Sequence, residues 1–391
     1  MSLKCFAPAL VAVLLSAAAL NTVQAAEISR SRVEGWVNEA VRPVMKQYDI
    51  PGMAVGIIIR GKSFVFNHGS VTMDGSRPIT DRTLFEIGSI SKTFTATLAS
   101  YAEVNGDLSL TDATEKYVPV LRGSPFGAVD LVHLATHTPG GFPLQFPDHV
   151  KNEKQMLDYF RQWQPAFRPG THRTYANPSI GMLGYIAARS MREDFSTLVE
   201  QKLFGPLDMS SSYVNVPNER MADYAQGYTK DGRPVRMSNA VLSAEAYGVR
   251  TTARDLVQFL KANMSLVPLD KKLGVAITNT HAGYFRVGAM TQDLVWEQYD
   301  YPAKLATLLE GNSQTTSRSS PAVEQIQPPL PPRDDVLINK TGSTNGFGAY
   351  VAFIPEEQMG FVILANRYYP NEERVRIVHQ LLERLAGANQ D

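Results

Sequence analysis

The stretch "EIGSISKTFTATL", residues 86–98, holds two serines and a lysine at the start of a helical pattern. Phe94, Leu98 and Tyr101 recur at helical spacing, and Asn105-Gly106 supplies a stop, so the spacing predicts a helix of about four turns from Lys92 onward. Residues three apart on a helix are neighbours. That rule pairs Ser89 with Lys92 and turns Ser91 elsewhere. A lysine amine eases deprotonation of a serine hydroxyl only when it is partly neutral. Burial or other cations must therefore push it below its reference value of about 10.4. The helix N-terminus favours the negative charge that develops on attack, and Gly88 leaves room for close approach. A chain of this length contains S-x-x-K by chance about once, so the motif needs partners elsewhere.

A serine–lysine pair gains from a third group that passes a proton to a leaving amine. A tyrosine suits if ammonium groups lower its pKa from about 10. Three Y-x-N triplets occur, at Tyr175-Ala176-Asn177, Tyr213-Val214-Asn215 and Tyr369-Pro370-Asn371. Tyr175 lies in "RTYANPSIGMLGYIAARS", a loop entering a helix, where a side chain can reach a cleft. Tyr213 lies in an extended stretch and Tyr369 follows a strand, so both read as structural. A third motif, Lys340-Thr341-Gly342, ends an apolar run. On an edge strand Lys340 supplies positive charge, Thr341 a hydroxyl for a carboxylate, and Gly342 a bare backbone where substrate lies close. The backbone N–H groups of Ser89 and Ser343 together make a candidate oxyanion hole.

Other chemistries find less support. His133 and His137 have zinc-helix spacing, but Leu134 stands where H-E-x-x-H needs glutamate, and the pair reads as helix-face packing. The seven histidines are scattered, which gives no metal case. No G-x-S-x-G elbow surrounds Ser89. The expected chemistry needs no cofactor.

The elements that position these residues follow from periodicity. With 44% hydrophobic and 19% charged residues, the 391-residue chain has an ordinary globular composition. Its 38 basic and 38 acidic residues give no electrostatic case for nucleic acid or an anionic membrane. Residues 1–25 read as a secretory signal peptide: Lys4, the apolar run "CFAPALVAVLLSAAAL", and small Val23 and Ala25 before the cut. Cleavage removes Cys5, the only cysteine, so the mature chain is expected to have no disulfide and to reside in a bacterial periplasm, free of the membrane and monomeric. "MAVGIIIR" and "SFVFNHG" predict a hairpin, "GAYVAFIP" and "MGFVILAN" a second strand pair, and about 371–385 an amphipathic helix. Strands cluster at the two ends. The expected fold is α+β, an α/β sandwich: a mainly antiparallel sheet from roughly 26–87 and 335–391, covered by helices, with a mainly helical region over 88–312. Residues 313–335, rich in Ser, Gln and Pro, read as a surface loop. Residues 26–391 read as one domain.

Ser89-x-x-Lys92, Tyr175-x-Asn177 and Lys340-Thr341-Gly342, in that order, resemble the penicillin-recognising serine enzymes. "FEIGSISKTFTATL", "GGFPLQFPD", "YANPSIGMLGYIAARS", "AEAYGV" and "NKTGSTNGFGAYVAFIP" resemble the class C β-lactamases, the AmpC-type cephalosporinases, across essentially the whole mature chain. The resemblance implies a β-lactamase/transpeptidase-like fold and hydrolysis of small-molecule β-lactams. It implies that Gln145 and Asn177 bind the acylamide side chain, that Tyr247 walls the pocket, and that Asn371 and Arg374 lie near the substrate carboxylate. Glu297 resembles the family's cleft-side carboxylate. His137 and Pro139 depart from the tyrosine and alanine common there, and Tyr368 from a common asparagine. Three functions share the first half-reaction: a β-lactam hydrolase, a D-alanyl-D-alanine peptidase or related esterase, and a sensor that acylates once.

Overall fold

The computed structural model describes residues 28–388, so the signal peptide expected at 1–25 lies outside the described residues. Nine strands form one sheet: β1 (Gly52–Ile59), β2 (Lys62–Gly69), β3 (Gly283–Val287), β4 (Met290–Gln292), β5 (Glu297–Asp300), β6 (Glu324–Leu330), β7 (Val336–Ser343), β8 (Gly348–Ile354) and β9 (Met359–Ala365). Their order across the sheet is β6-β3-β4-β5-β7-β8-β9-β1-β2, and every neighbouring pair is antiparallel. The two ends of the chain meet where β1 pairs with β9, with Met53 opposite Ala365 and Ile57 opposite Phe361.

Strand β1 is buried along its whole length. Alternate side chains point to opposite faces of a sheet. Met53, Val55, Ile57 and Ile59 accordingly pack with α1 (Arg30–Gln47) and the C-terminal α6 (Asn371–Ala388), while Ala54 and Ile58 join the core on the other face. Both faces are covered, which is why the run is apolar without alternation.

The central helix α2 (Ser91–Asn105) ends at Gly106, whose φ of 82° closes the last turn in the left-handed region. Phe94 and Leu98 enter the sheet-side core, and Ala96, Ala99 and Ala102 enter a separate helical core. A helix buried on all sides must be uncharged along most of its length. α2 packs against α3 (Asn177–Met191) and α4 (Ser243–Tyr247), and α5 (Ala253–Asn263) covers β1 and β9. The N-terminus of α2 thus emerges between the sheet and the helical region.

Two expectations need correction. The region 88–312 contributes β3, β4 and β5 to the main sheet. These strands are only three to five residues long, and β4 and β5 carry buried polar residues such as Gln292, Glu297 and Gln298, so they show no extended apolar strand pattern. The stretch 313–335 is more than a loop, because β6 forms the outer edge of the sheet beside β3. Proline cannot donate to the ladder, and an exposed edge is where a strand holding Pro328 and Pro329 is tolerated.

Candidate active site

Ser89 lies in a single 3-10 turn, Gly88–Ile90, that leads directly into α2. Lys92 Nζ donates to Ser89 Oγ at 2.9 Å and to the Ala246 carbonyl of α4 at 2.8 Å. Lys92 is fully buried. Burial, with help from Lys340, lowers its amine from an ordinary 10.5 to about 8, against an opposing pull from Tyr175. Ser91 is used otherwise: its Oγ accepts the Val249 N–H at 3.0 Å.

Tyr175 faces Ser89 from the loop before α3, in a ring of cations. Lys340 Nζ is 5.1 Å from its ring centroid, Lys92 Nζ 5.2 Å and the Arg173 guanidinium 5.5 Å. Burial alone raises a phenol, but the Lys340 and Lys92 charges and the Ser89 hydroxyl outweigh it and hold Tyr175 below its ordinary value. Glu297 accepts from Arg173 Nη2 at 2.9 Å and pairs with Lys340 Nζ at 3.4 Å, so one carboxylate balances two of the buried cations. Arg173 also donates to Gln292 Oε1 at 2.6 Å.

β7 is an interior strand rather than an edge, yet its last residues keep a free side. β5 pairs with it only from Val336 to Asn339, whereas β8 continues to Ser343. Lys340–Ser343 is therefore open toward the Ser89 turn. Gly342 fits there because a Cβ would sit 2.0 Å from the Ile87 carbonyl oxygen. Gly88, at φ +51°, has a Cβ position 2.5 Å from the Ser343 nitrogen. Two bare backbones thus bring the amides around Ser89 and Ser343 into one place.

The cleft gathers Ser89, Gln145, Tyr175, Asn177, Glu297, Lys340, Thr341, Gly342, Ser343 and Asn371. Asn177 opens α3, and its Oδ1 is buried without a protein partner, an acceptor left for a ligand N–H. Asn371 opens α6 and donates to the Asn312 carbonyl at 3.4 Å. Two further expected residues stand beside this cluster. Tyr247 ends α4, partly buried and packed on the helical core, directly after Ala246, whose carbonyl accepts from Lys92. Arg374 is fully buried behind β7, where Nη1 donates to the Gly342 carbonyl at 2.7 Å and to Ser343 Oγ at 2.9 Å, and Nη2 to the Tyr369 carbonyl. It supports the strand that meets the substrate carboxylate in the implied scheme. Of the other Y-x-N tyrosines, Tyr213 is hydrogen-bonded to Ser210 and Arg220, and Tyr369 packs on Arg374.

Sequence reasoning missed several groups. Arg173, two residues before Tyr175, carried no motif. Glu86 accepts from Tyr224, Thr344 and the Met237 N–H, tying three segments behind the site. Arg318 and Asn312 add to the wall beside Asn371. The helix-face reading of His133 and His137 fails for His137, because the helix is only Leu131–Ala135. His137 instead stands at φ +59° with its ring 4.4 Å from that of Tyr175.

The sequence model of the Beta-lactamase family matches residues 37–386. A beta-lactamase of Pseudomonas fluorescens is 49% identical over 346 residues, 88% of this chain and 97% of that protein. The crystal structure of D-alanine carboxypeptidase AmpC from Burkholderia cenocepacia is 50% identical with a TM-score of 0.88, covering 91% of this chain and 100% of that one. A class C beta-lactamase solved with cefoxitin is 44% identical with a TM-score of 0.89 over 91% of this chain and 100% of that one. With the serine–lysine–tyrosine cluster at the seam between its sheet and its helices, the chain belongs to the beta-lactamase family, and to the class C enzymes within it.

Proposed function

We propose that this enzyme hydrolyses the β-lactam amide, chiefly of cephalosporins, through an acyl-enzyme on Ser89. The observation that carries the reading is the 2.9 Å contact between Lys92 Nζ and Ser89 Oγ, with Tyr175 among three cations beside it. Ser89 Oγ attacks the lactam carbonyl and its proton passes to the Lys92–Tyr175 pair. The developing oxyanion is held by the N–H groups of Ser89 and Ser343. The C–N bond breaks, and Tyr175 returns the proton to the ring nitrogen. Water then attacks the ester with Tyr175 as base, releasing the product acid and restoring the Ser89 hydroxyl. General acid–base help is worth about 10²–10⁴ in rate, and one oxyanion donor about 10²–10³.

In this scheme Lys340 and Thr341 take the substrate carboxylate, with Asn371 at the same wall, and Gln145 and Asn177 take the acylamide side chain. The catalytic set is Ser89, Lys92, Tyr175 and Lys340. The mature enzyme works as a monomer in the periplasm after removal of residues 1–25.

The test is hydrolysis of a chromogenic cephalosporin by the mature protein, with a penicillin alongside and Ser89→Ala as control. Turnover that vanishes in the variant, and a higher kcat/KM for the cephalosporin, are expected. A stable one-to-one acyl adduct without turnover overturns the hydrolase reading in favour of a sensor. A second reading, D-alanyl-D-alanine carboxypeptidase, draws support from the Burkholderia relative's name. It is favoured if a D-alanyl-D-alanine peptide is cleaved and cephalosporins are not.

A further inference from the structure

His137 meets the Tyr175 segment at three points. Its carbonyl accepts the Thr174 N–H at 2.8 Å, and its Nδ1 accepts the Ala176 N–H at 3.4 Å. Its ring lies 4.4 Å from the Tyr175 ring, centroid to centroid, at 46°. The residues before and after Tyr175 are thus both hydrogen-bonded to one side chain's own residue, and the tyrosine between them is packed on that side chain. His137 is fully buried and adopts φ +59°, in the left-handed region that most L-residues avoid. Strain of this kind persists only where the surroundings hold it. Because Nδ1 accepts an N–H, the ring proton resides on Nε2, which has no protein partner. Burial, followed by the charges of Arg173, Lys92 and Lys340, holds the imidazole well below its usual pKa. The ring is therefore neutral and its Nδ1 lone pair stays available.

We propose that His137 is the positioning residue for Tyr175, its Nδ1 anchoring the Ala176 N–H so that the phenol stays between Ser89 and the two lysines. The proposal rests on Tyr175 being the proton carrier. Neither the serine–lysine pair nor the strand motif holds the Tyr175 loop on this side. A phenol that drifts loses proton transfer before it loses substrate, since Lys340, Thr341 and Gln145 lie on other segments and Asn177, although only two residues on, is held separately by its own N–H to the Leu144 carbonyl at 2.9 Å. The effect belongs in kcat, not KM.

The test compares His137→Ala with His137→Asn. Asparagine Oδ1 occupies the place of Nδ1 and tolerates positive φ, whereas alanine supplies no acceptor. Both lose the ring; His137→Gly, which tolerates positive φ but supplies no acceptor, separates the anchor from the backbone and should lose kcat as alanine does. His137→Phe, which keeps a ring and loses the acceptor, is a fourth arm. With thermal melts confirming folded protein, His137→Ala is expected to lower kcat for a chromogenic cephalosporin about tenfold, the equivalent of one hydrogen bond, with KM within about twofold. His137→Asn should recover most of that loss. In a Tyr175→Phe background, His137→Ala should have no further effect on kcat. Equal kcat in the alanine and asparagine variants, or a loss confined to KM, overturns the proposal. Tyr175→Phe with undiminished turnover overturns the Tyr175 reading and this one with it. Tyr175→Phe inactive beside His137→Ala at native kcat overturns this one alone.

Discussion

Gly88 and Ser343 approach so closely that a methyl group on Gly88 would lie 2.5 Å from the Ser343 amide nitrogen and 2.4 Å from its carbonyl oxygen. The nucleophile turn and the end of β7 are thus pressed together backbone to backbone. Gly88 also holds φ +51°, which disfavours any side chain. Gly88→Ala is expected to part the two segments and lower kcat about 10²–10³, the worth of one oxyanion donor. Steady-state kinetics beside circular dichroism checks this, since a folded variant with native kcat would contradict it.

Lys92 ties activity to pH in a definite direction. Its amine is held at about 8 against an ordinary 10.5. Below pH 8 the base is increasingly protonated, so kcat/KM should fall as pH drops through that range. Stability carries the same signature. Between 8 and 10.5 the unfolded chain binds a proton that the folded chain does not, so stability rises with pH there. Below 8 both states are protonated and the full desolvation penalty is present. Lys92→Met should therefore be inactive yet more stable than the parent at pH 7, by about 3 kcal/mol, with the gap closing toward pH 10.5. Urea titrations at pH 7 and pH 10 measure it. A gap that does not narrow would refute the burial account.

Asn177 presents a buried Oδ1 with no protein partner. An acceptor in that state rewards a ligand N–H and leaves a penalty when none arrives. Asn177→Ala is expected to lower kcat/KM about ten- to a hundredfold for β-lactams with an acylamide N–H, and less for those without one. A paired substrate panel decides it, because an equal loss on both would remove side-chain recognition from this residue.

Arg374 is a buried hub. Its guanidinium holds the carbonyls of Gly342, Ala349 and Tyr369 and the Ser343 hydroxyl. Arg374→Ala strands those acceptors and should destabilise the fold by about 3 kcal/mol, with activity falling as β7 loosens. Arg374→Lys should rescue little, because one ammonium cannot reach a planar fork's partners. Melting temperature and kcat report the two effects. A stable, active lysine variant would show that charge alone suffices.

Glu245 adds a second pH dependence, of opposite sign. Burial raises its carboxyl from an ordinary 4.5 to about 7. The folded state then holds a proton that the unfolded chain releases between 4.5 and 7, so stability falls as pH rises through that window. Glu245→Gln should remove the fall and exceed the parent by about 1–3 kcal/mol at pH 8. Identical pH profiles for the two proteins would disprove it.

The sequence by itself determined what lies within one turn or one strand. Helical phase separates Ser89 from Ser91, and the structure gives the two hydroxyls different partners, Lys92 for one and the Val249 N–H for the other. Apolar runs marked β1, β8 and β9, because strands with both faces covered need no polar positions, and periodicity marked the half-exposed β2 and the C-terminal helix. The short strands β3–β5 escaped notice because each has at most five residues and because β4 and β5 bury polar side chains whose partners lie far along the chain. Arg173 with Gln292 and Glu297, and Asn339 with the Glu297 carbonyl, are such pairs. Tertiary structure alone decided the electrostatics. Whether Lys92 sheds its proton depends on burial beneath α4 and on Lys340 from β7, and the Tyr175 phenol depends on the Lys340 and Lys92 ammoniums from two other segments. It also set Arg374 behind the end of β7 and His137 against Tyr175. Charge state and close approach depend on everything within a few ångströms, and a linear order of residues does not record those distances.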